Sequence, residues 1–115
     1  MTFRIEFYTR VDGSCPYQEY VASVFRTGRK AEAAKVRVFV DRLARTGSQK
    51  MARIKAAEKM NDVWQLRPIP HRIFYFWDSA TRTYLILNGF RKKSGKTPRR
   101  EISRAARLRD EYLSR

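Results

Sequence analysis

The sequence predicts an α+β fold, formed by a single small domain that spans residues 1–115. Three apolar runs with strand character lie between Trp64 and Arg100, and turns separate them. Another strand-like run and two segments with helical spacing precede them, and one more helical segment follows. A chain of 115 residues can bury one hydrophobic core but is short for two independent ones.

The first strand is predicted at residues 3–8, where apolar and polar side chains alternate. Successive side chains of a strand point to opposite faces, so Phe3, Ile5 and Phe7 are expected on the buried face. Asp12-Gly13 then favours a turn.

Two helices are predicted next. Pro16 suits the first turn of one helix, which Gly28 ends. The second runs from about Lys30 to Arg45, and Gly47 can cap its end. Each has an apolar stripe that can pack against the sheet. The stripe of the first helix consists of Tyr17, Tyr20, Val21, Val24 and Phe25. That of the second consists of Val36, Phe39, Val40 and Leu43.

Residues 48–62 show no clear period and are predicted to be a connector, in which Met51 and Ile54 could form a brief strand or a helical turn. Three strands at 63–67, 72–77 and 84–87 are then expected to form a meander. Pro68 and Pro70 end the first of them, because proline cannot donate to a strand ladder.

A basic loop, residues 89–96, follows the meander. The last helix is predicted to begin at Pro98, with Thr97 as its cap. Its expected buried side consists of Ile102, Ala105, Ala106, Tyr112 and Leu113.

The charge balance predicts a polyanionic partner. There are 26 Lys and Arg against 11 Asp and Glu, a net charge of +15, and the usual partner of so basic a domain is a nucleic acid. The single cysteine excludes an internal disulfide. Apolar runs are too short for a membrane span and no signal-peptide pattern is present, so we expect a cytoplasmic protein.

The sequence excludes most catalytic designs. It contains no phosphate-cradling glycine-rich loop and no cluster of metal ligands, so no metal and no cofactor are expected. Its one histidine, His71, has no marked nucleophile beside it. Arginine and lysine remain, and these can bind phosphates or catalyse phosphoryl transfer. RNA supplies its own nucleophile, the 2′-hydroxyl, so a cationic site is chemically sufficient for RNA cleavage.

Several motifs in this order resemble the RelE/ParE toxin superfamily and, within it, the phage-derived HigB-like branch. They are W-x-L-R at 64–67, H-R-I-F-Y-F at 71–76 and G-F-R-K-K-S-G-K-T-P-R-R-E-I at 89–102. The resemblance implies a RelE-like α+β domain with an antiparallel-rich sheet, two N-terminal helices and one C-terminal helix. It also implies a type II toxin that cleaves messenger RNA in the ribosomal A site, and a helix-turn-helix, HigA-like antitoxin as partner.

The resemblance assigns roles to individual residues. Arg72 matches the arginine that contacts the scissile phosphate from the central strand. Lys92, or its neighbour Arg91, matches the basic residue at the end of the last strand. In the expected mechanism Arg72 and Lys92 contact the scissile phosphate, and Arg67 and Arg91 are second contacts. The residues expected to hold RNA are Lys59, Lys93, Lys96, Arg99 and Arg100.

Two features of RelE-like toxins are absent from the sequence. The strand that holds Val63 and Gln65 lacks their lysines, and Thr97-Pro98 stands where they have a tyrosine. Proton transfer would then depend on other groups, and these are Lys59, Lys93, Lys96 or His71.

Alternatives remain open. A ParE-like toxin inhibits gyrase by protein contact and needs no catalytic residues, and a phage-derived protein could bind nucleic acid without cleaving it. Arg72 could instead pair with Asp78 or Glu58, and His71 is expected to be structural, on the opposite face of the strand from Arg72. Packing, rather than base stacking, is expected of Tyr75, Trp77 and Tyr84.

Overall fold

The computed structural model describes residues 2–115 as five strands and four helices. The α+β prediction is confirmed. The elements are β1 (Arg4–Phe7), α1 (Pro16–Arg26), α2 (Lys30–Thr46), α3 (Ser48–Arg53), β2 (Ala57–Met60), β3 (Val63–Leu66), β4 (His71–Asp78), β5 (Thr83–Arg91) and α4 (Arg99–Leu113).

The strands form one mixed sheet in the order β1-β5-β4-β3-β2. β1 pairs with β5 in parallel, and the other neighbours are antiparallel, so the predicted meander of β3, β4 and β5 is present. The register pairs His71 with Arg91 at one end of the β4–β5 hairpin and Asp78 with Thr83 at the other. The central strand β4 therefore begins beside the basic segment that follows β5.

Helices cover both faces of the sheet. Ile73 and Tyr75 of β4 pack in a cluster with α1, α2 and α3. Phe74 and Phe76, which alternate with them, pack in a second cluster with α4. We call these faces the α1/α2 side and the α4 side. β4 is buried on both faces, which explains its nearly continuous run of apolar side chains.

Residues 48–62 are more regular than a connector. They contain α3 and the edge strand β2. Met51 is fully buried, and Ser48 hydrogen-bonds to the hydroxyls of Tyr75 and Tyr84. These tertiary contacts stabilise a helix of six residues. Met51 is its one large apolar side chain, so the sequence shows no helical period there.

The first strand differs from its predicted burial. Phe7 is 40% exposed and stacks on Tyr17, whereas Tyr8 is buried on the α4 side. β1 lies at the edge of the sheet, so the side chains of Phe3, Ile5 and Phe7 are only partly covered by the rest of the fold.

The last strand and helix also differ from their predicted limits. β5 continues to Arg91, so the basic loop begins at Lys92 rather than at residue 89. Thr97 does not cap α4, because Pro98 occupies the N-cap position. Leu108 is buried in place of the exposed Leu113. No helix within residues 2–115 is long and apolar enough to cross a membrane.

Candidate nucleic-acid interface

Three cationic residues share the α4 side at one end of the sheet. Arg72 pairs with Phe90 of β5, and the backbone of Lys92 extends that ladder by bonding to Pro70. Leu66 pairs with Ile73, so the next residue of the first chain, Arg67, lies opposite Arg72. Arg67, Arg72 and Lys92, which we call the cationic cluster, therefore come from neighbouring chain segments.

Arg72 is buried without a carboxylate partner. Its exposed fraction is 4%, and no ion pair among residues 2–115 includes it. Nη1 donates to the His71 carbonyl oxygen at 2.9 Å, while Nε has no hydrogen-bond partner. Burial, and then the charge of Arg67, lower the pKa of Arg72, and Glu58 opposes this shift. A buried guanidinium without a counter-ion is suited to receive an anion.

The two predicted partners of Arg72 are engaged elsewhere. Asp78 accepts hydrogen bonds from the Tyr112 hydroxyl at 3.0 Å and from the Ala80 amide at 3.1 Å. Glu58 accepts one from the Gln65 amide at 3.0 Å. The alternative that Arg72 serves a structural ion pair is therefore wrong in this structure.

The segment of residues 93–97 crosses over β4 near Arg72. It begins after Lys92, on β5, and the Thr97 hydroxyl donates to the side-chain oxygen of Gln65, on β3, at 3.1 Å. Because β4 lies between those strands, the segment passes above it between the levels of Pro70 and Phe74. Arg72 lies at that level of β4, so the path of the segment is consistent with its burial.

The predicted RNA-binding residues next to the cluster are exposed. A cleft of about 170 Å³ is lined by residues 90–94 with Pro98, Arg100 and Glu101. Arg100 Nε lies 3.8 Å from Glu101, whose other carboxylate oxygen is buried without a partner. The structure thus places Lys93 and Arg100 in one cleft with Lys92, and Lys96 and Arg99 are exposed on the neighbouring segments.

Arg91 lies on the other face. Its Nη1 is 3.0 Å from Glu32 Oε1, and the same carboxylate oxygen is 2.7 Å from His71 Nε2. His71 Nδ1 also contacts the Tyr20 hydroxyl. Burial is the main reason that the pKa of His71 is lowered, so the ring is neutral at pH 7. The prediction that His71 and Arg72 occupy opposite faces is confirmed.

Lys59 is also separate from the cluster. It pairs with Trp64, which packs on the α1/α2 side, so its side chain and that of Arg72 lie on opposite faces. The sequence did not predict the roles of Glu32, Gln65 and Thr97. Glu32 holds the His71 ring, and the hydrogen bond between Gln65 and Thr97 holds the 93–97 segment. Only Glu32 left a signal, as an acidic residue in the first turn of α2.

No group of three or more His, Cys, Asp or Glu side chains in the described chain is placed to hold a metal ion. The family model described as phage-derived protein Gp49-like matches residues 24–110. That range includes every residue of the predicted site. No curated protein matches the chain.

Proposed function

The chain belongs to the Gp49-like family of phage-derived proteins, a RelE-like toxin family used in toxin–antitoxin systems, and we propose that it is a type II toxin that cleaves messenger RNA on the ribosome. The observation that carries this proposal is the placement of an unpaired arginine, Arg72, on one face with Arg67 and Lys92. The proposed enzyme is an endoribonuclease that needs no metal.

In the proposed reaction, the 2′-oxygen of one nucleotide attacks the adjacent phosphorus. The bond from phosphorus to the 5′-oxygen of the next nucleotide breaks, which leaves a 2′,3′-cyclic phosphate and a 5′-hydroxyl. Arg72 and Lys92 stabilise the negative charge that grows on the non-bridging oxygens, and Arg67 is a further contact. A general base accepts the proton of the 2′-hydroxyl, and a general acid donates a proton to the departing 5′-oxygen.

The geometry narrows the choice of proton carriers. His71 is buried in the α1/α2 layer and Lys59 faces that side, so neither reaches a phosphate on Arg72. Lys93 and Lys96 are exposed on the segment above Arg72 and are the proposed carriers. Because that segment crosses β4 at the level of the buried Arg72, the proposed reaction has it move aside when RNA binds.

The proposed partners follow from the charge and from the family. Messenger RNA in the ribosomal A site lies among RNA phosphates, which match a net charge of +15. The proposed neutralising partner is a HigA-like helix-turn-helix antitoxin.

One observation favours a second candidate function. The 4% exposure of Arg72 suits a toxin of the same fold that acts by protein contact, as a ParE-like gyrase inhibitor does, because such contact needs no accessible arginine. A nucleic-acid-binding protein without catalysis would likewise need only the exposed cations.

Induced expression of the wild type and of Arg72→Ala, with primer extension across cellular messenger RNAs, tests the proposal. We expect growth arrest and new RNA ends inside reading frames for the wild type, and neither for the variant. Arrest without new ends would favour the gyrase inhibitor, which a supercoiling assay then checks. A soluble, folded wild type that neither arrests growth nor cuts RNA would overturn the toxin assignment.

A further inference from the structure

A second pocket lies on the α1/α2 side, at the opposite end of β4 from Arg72. It has a volume of about 510 Å³. Its aromatic lining consists of Phe3, Trp64, Trp77 and Tyr84, and its remaining wall is residues 46–50 with Arg53. The sheet separates this pocket from the cationic cluster, so the two are distinct sites.

The tyrosine hydroxyls fix the floor of this aromatic pocket. The Tyr84 hydroxyl accepts a hydrogen bond from the Ser48 amide at 3.0 Å, and the hydroxyls of Tyr75 and Ser48 are 2.7 Å apart. Both tyrosines are buried, and the rings of Trp64 and Tyr75 stack with centroids 6.3 Å apart. Both tyrosine hydroxyls therefore have hydrogen-bond partners, and packing holds the rings that form the floor in place.

The tryptophans leave aromatic surface open to the pocket. Trp77 packs edge-on against Tyr84, with centroids 4.8 Å apart, and is still 39% exposed. Trp64 and Phe3 are half-buried. Gly47 keeps the space clear at Phe3, because a Cβ there would lie 2.9 Å from the Phe3 ring. The exposed indole of Trp77 therefore provides a flat surface for stacking in a pocket that Gly47 keeps open.

Cations without acidic neighbours complete the pocket. Lys50 and Arg53 line it, and no Asp or Glu does. Lys59 is the cross-strand partner of Trp64 and shares its face. None of these three cations forms an ion pair among residues 2–115. Aromatic rings beside unpaired cations are the combination that binds single-stranded nucleic acid, in which a base stacks and a phosphate is neutralised.

We propose that the aromatic pocket binds one nucleobase of single-stranded RNA by stacking on Trp77 or Trp64, with the adjoining phosphate held by Lys50 and Arg53. A purely apolar ligand would gain nothing from the cations, and free phosphate would gain nothing from the rings. Lys59, separated from the cluster by the sheet, serves this site instead. The pocket thus gives the protein a second RNA contact on the face opposite Arg72.

The two tryptophans of the chain both line the pocket, so intrinsic fluorescence reports on it selectively. The probe is a 2′-O-methyl adenosine trinucleotide, which lacks the nucleophile for cleavage. We expect it to quench the fluorescence in a saturable manner. Inorganic triphosphate, which has charge but no base, should leave the fluorescence unchanged.

The variants separate this pocket from general charge attraction. Lys50→Ala with Arg53→Ala should weaken the quenching affinity about tenfold or more, since two phosphate contacts are lost. The matched control is Arg104→Ala with Arg107→Ala, which removes two exposed charges from α4, on the other side of the sheet, and should leave the affinity within about twofold. No quenching by the trinucleotide, or equal weakening in both double variants, would overturn the proposal. Primer extension is not involved, so this result stands apart from the test of RNA cleavage.

Discussion

His71 and Arg72 are adjacent in β4 but lie in different layers, and one backbone carbonyl links them. The His71 ring is 2.7 Å from Glu32 on the α1/α2 side, whereas Arg72 Nη1 donates to the carbonyl oxygen of His71 at 2.9 Å. Within the described residues, that carbonyl is the only hydrogen-bond partner of the Arg72 side chain. Glu32 of α2 thus holds His71, and the carbonyl oxygen of His71 positions the guanidinium of Arg72.

Replacing Arg72 with methionine should separate stability from activity. The variant Arg72→Met keeps an unbranched side chain of roughly similar volume and removes a buried charge that has no counter-ion. The free energy of unfolding, measured in urea, is expected to stay within about 1 kcal/mol of the wild type or to rise. RNA cleavage should lose about 2 to 4 kcal/mol of transition-state stabilisation. A stability loss of several kcal/mol would instead identify Arg72 as a structural residue.

Lys92 and Arg91 form a matched pair of adjacent cations on opposite faces. Lys92→Ala should lower cleavage about 100-fold, because it removes a donor on the face of Arg72. The slope of log affinity against log salt for single-stranded RNA should fall by about 0.7.

Arg91→Ala serves as the control. It removes a partly exposed ion pair with Glu32, so we expect near wild-type cleavage and a change of unfolding free energy below about 1 kcal/mol. Equal loss of cleavage in the two variants would contradict the separation by faces.

Local patterns predicted the elements that carry strong periodicity. α1 and α2 lie within one residue of their predicted limits, because Pro16 and Gly47 punctuate long apolar stripes. The run 72–77 was identified as a strand from its aromatic and β-branched residues.

Long-range contacts determined what the sequence could not predict. α3 depends on Ser48 and Met51 meeting partners distant in sequence. The grouping of Arg67 with Arg72, and the exclusion of Arg91 and Lys59, depend on strand register, which no single run encodes. Residue types therefore indicated the chemistry of the candidate site, whereas strand register determined which cations lie together in it.

Mild acid should destabilise the protein through His71. Burial lowers the pKa of this ring in the folded state below its ordinary value of 6.5, so the unfolded chain binds the proton more readily. The free energy of unfolding is then expected to fall as the pH drops below about 6.5. Neighbouring Tyr20 has a pKa raised to about 12, well outside this range. The charged groups that act on the ring are Glu32, Arg91 and Arg29.

Glu32 adds a second loss at lower pH. The hydrogen bond with His71 is the main cause that lowers the pKa of Glu32 from 4.5, so its contribution disappears as the pH falls through that lowered value. Melting temperatures between pH 8 and pH 5 test the effect of the histidine. His71→Gln should flatten the decrease below pH 6.5, and an unchanged pH profile in this variant would show that another group is responsible.

The hydrogen bond between Thr97 and Gln65 should control how readily the 93–97 segment opens. Thr97→Val keeps the shape of the side chain and removes the donor of the 3.1 Å bond to Gln65. One ordinary hydrogen bond contributes about 1 kcal/mol, so the open state should become about fivefold more populated. Limited trypsin digestion measures this directly, because Lys92, Lys93 and Lys96 provide cleavage sites in and beside the segment.

Thr27→Val is the matched control for this prediction, since it removes a hydroxyl bond to Val24 at the end of α1. It should leave the rate of cutting at residues 92–96 unchanged. Because the proposed mechanism has the segment move aside from Arg72, it further requires that Thr97→Val does not lower RNA cleavage, even though it loosens the fold locally. Faster trypsin cutting together with lost RNA cleavage would mean that the closed segment, rather than the open one, is the active arrangement.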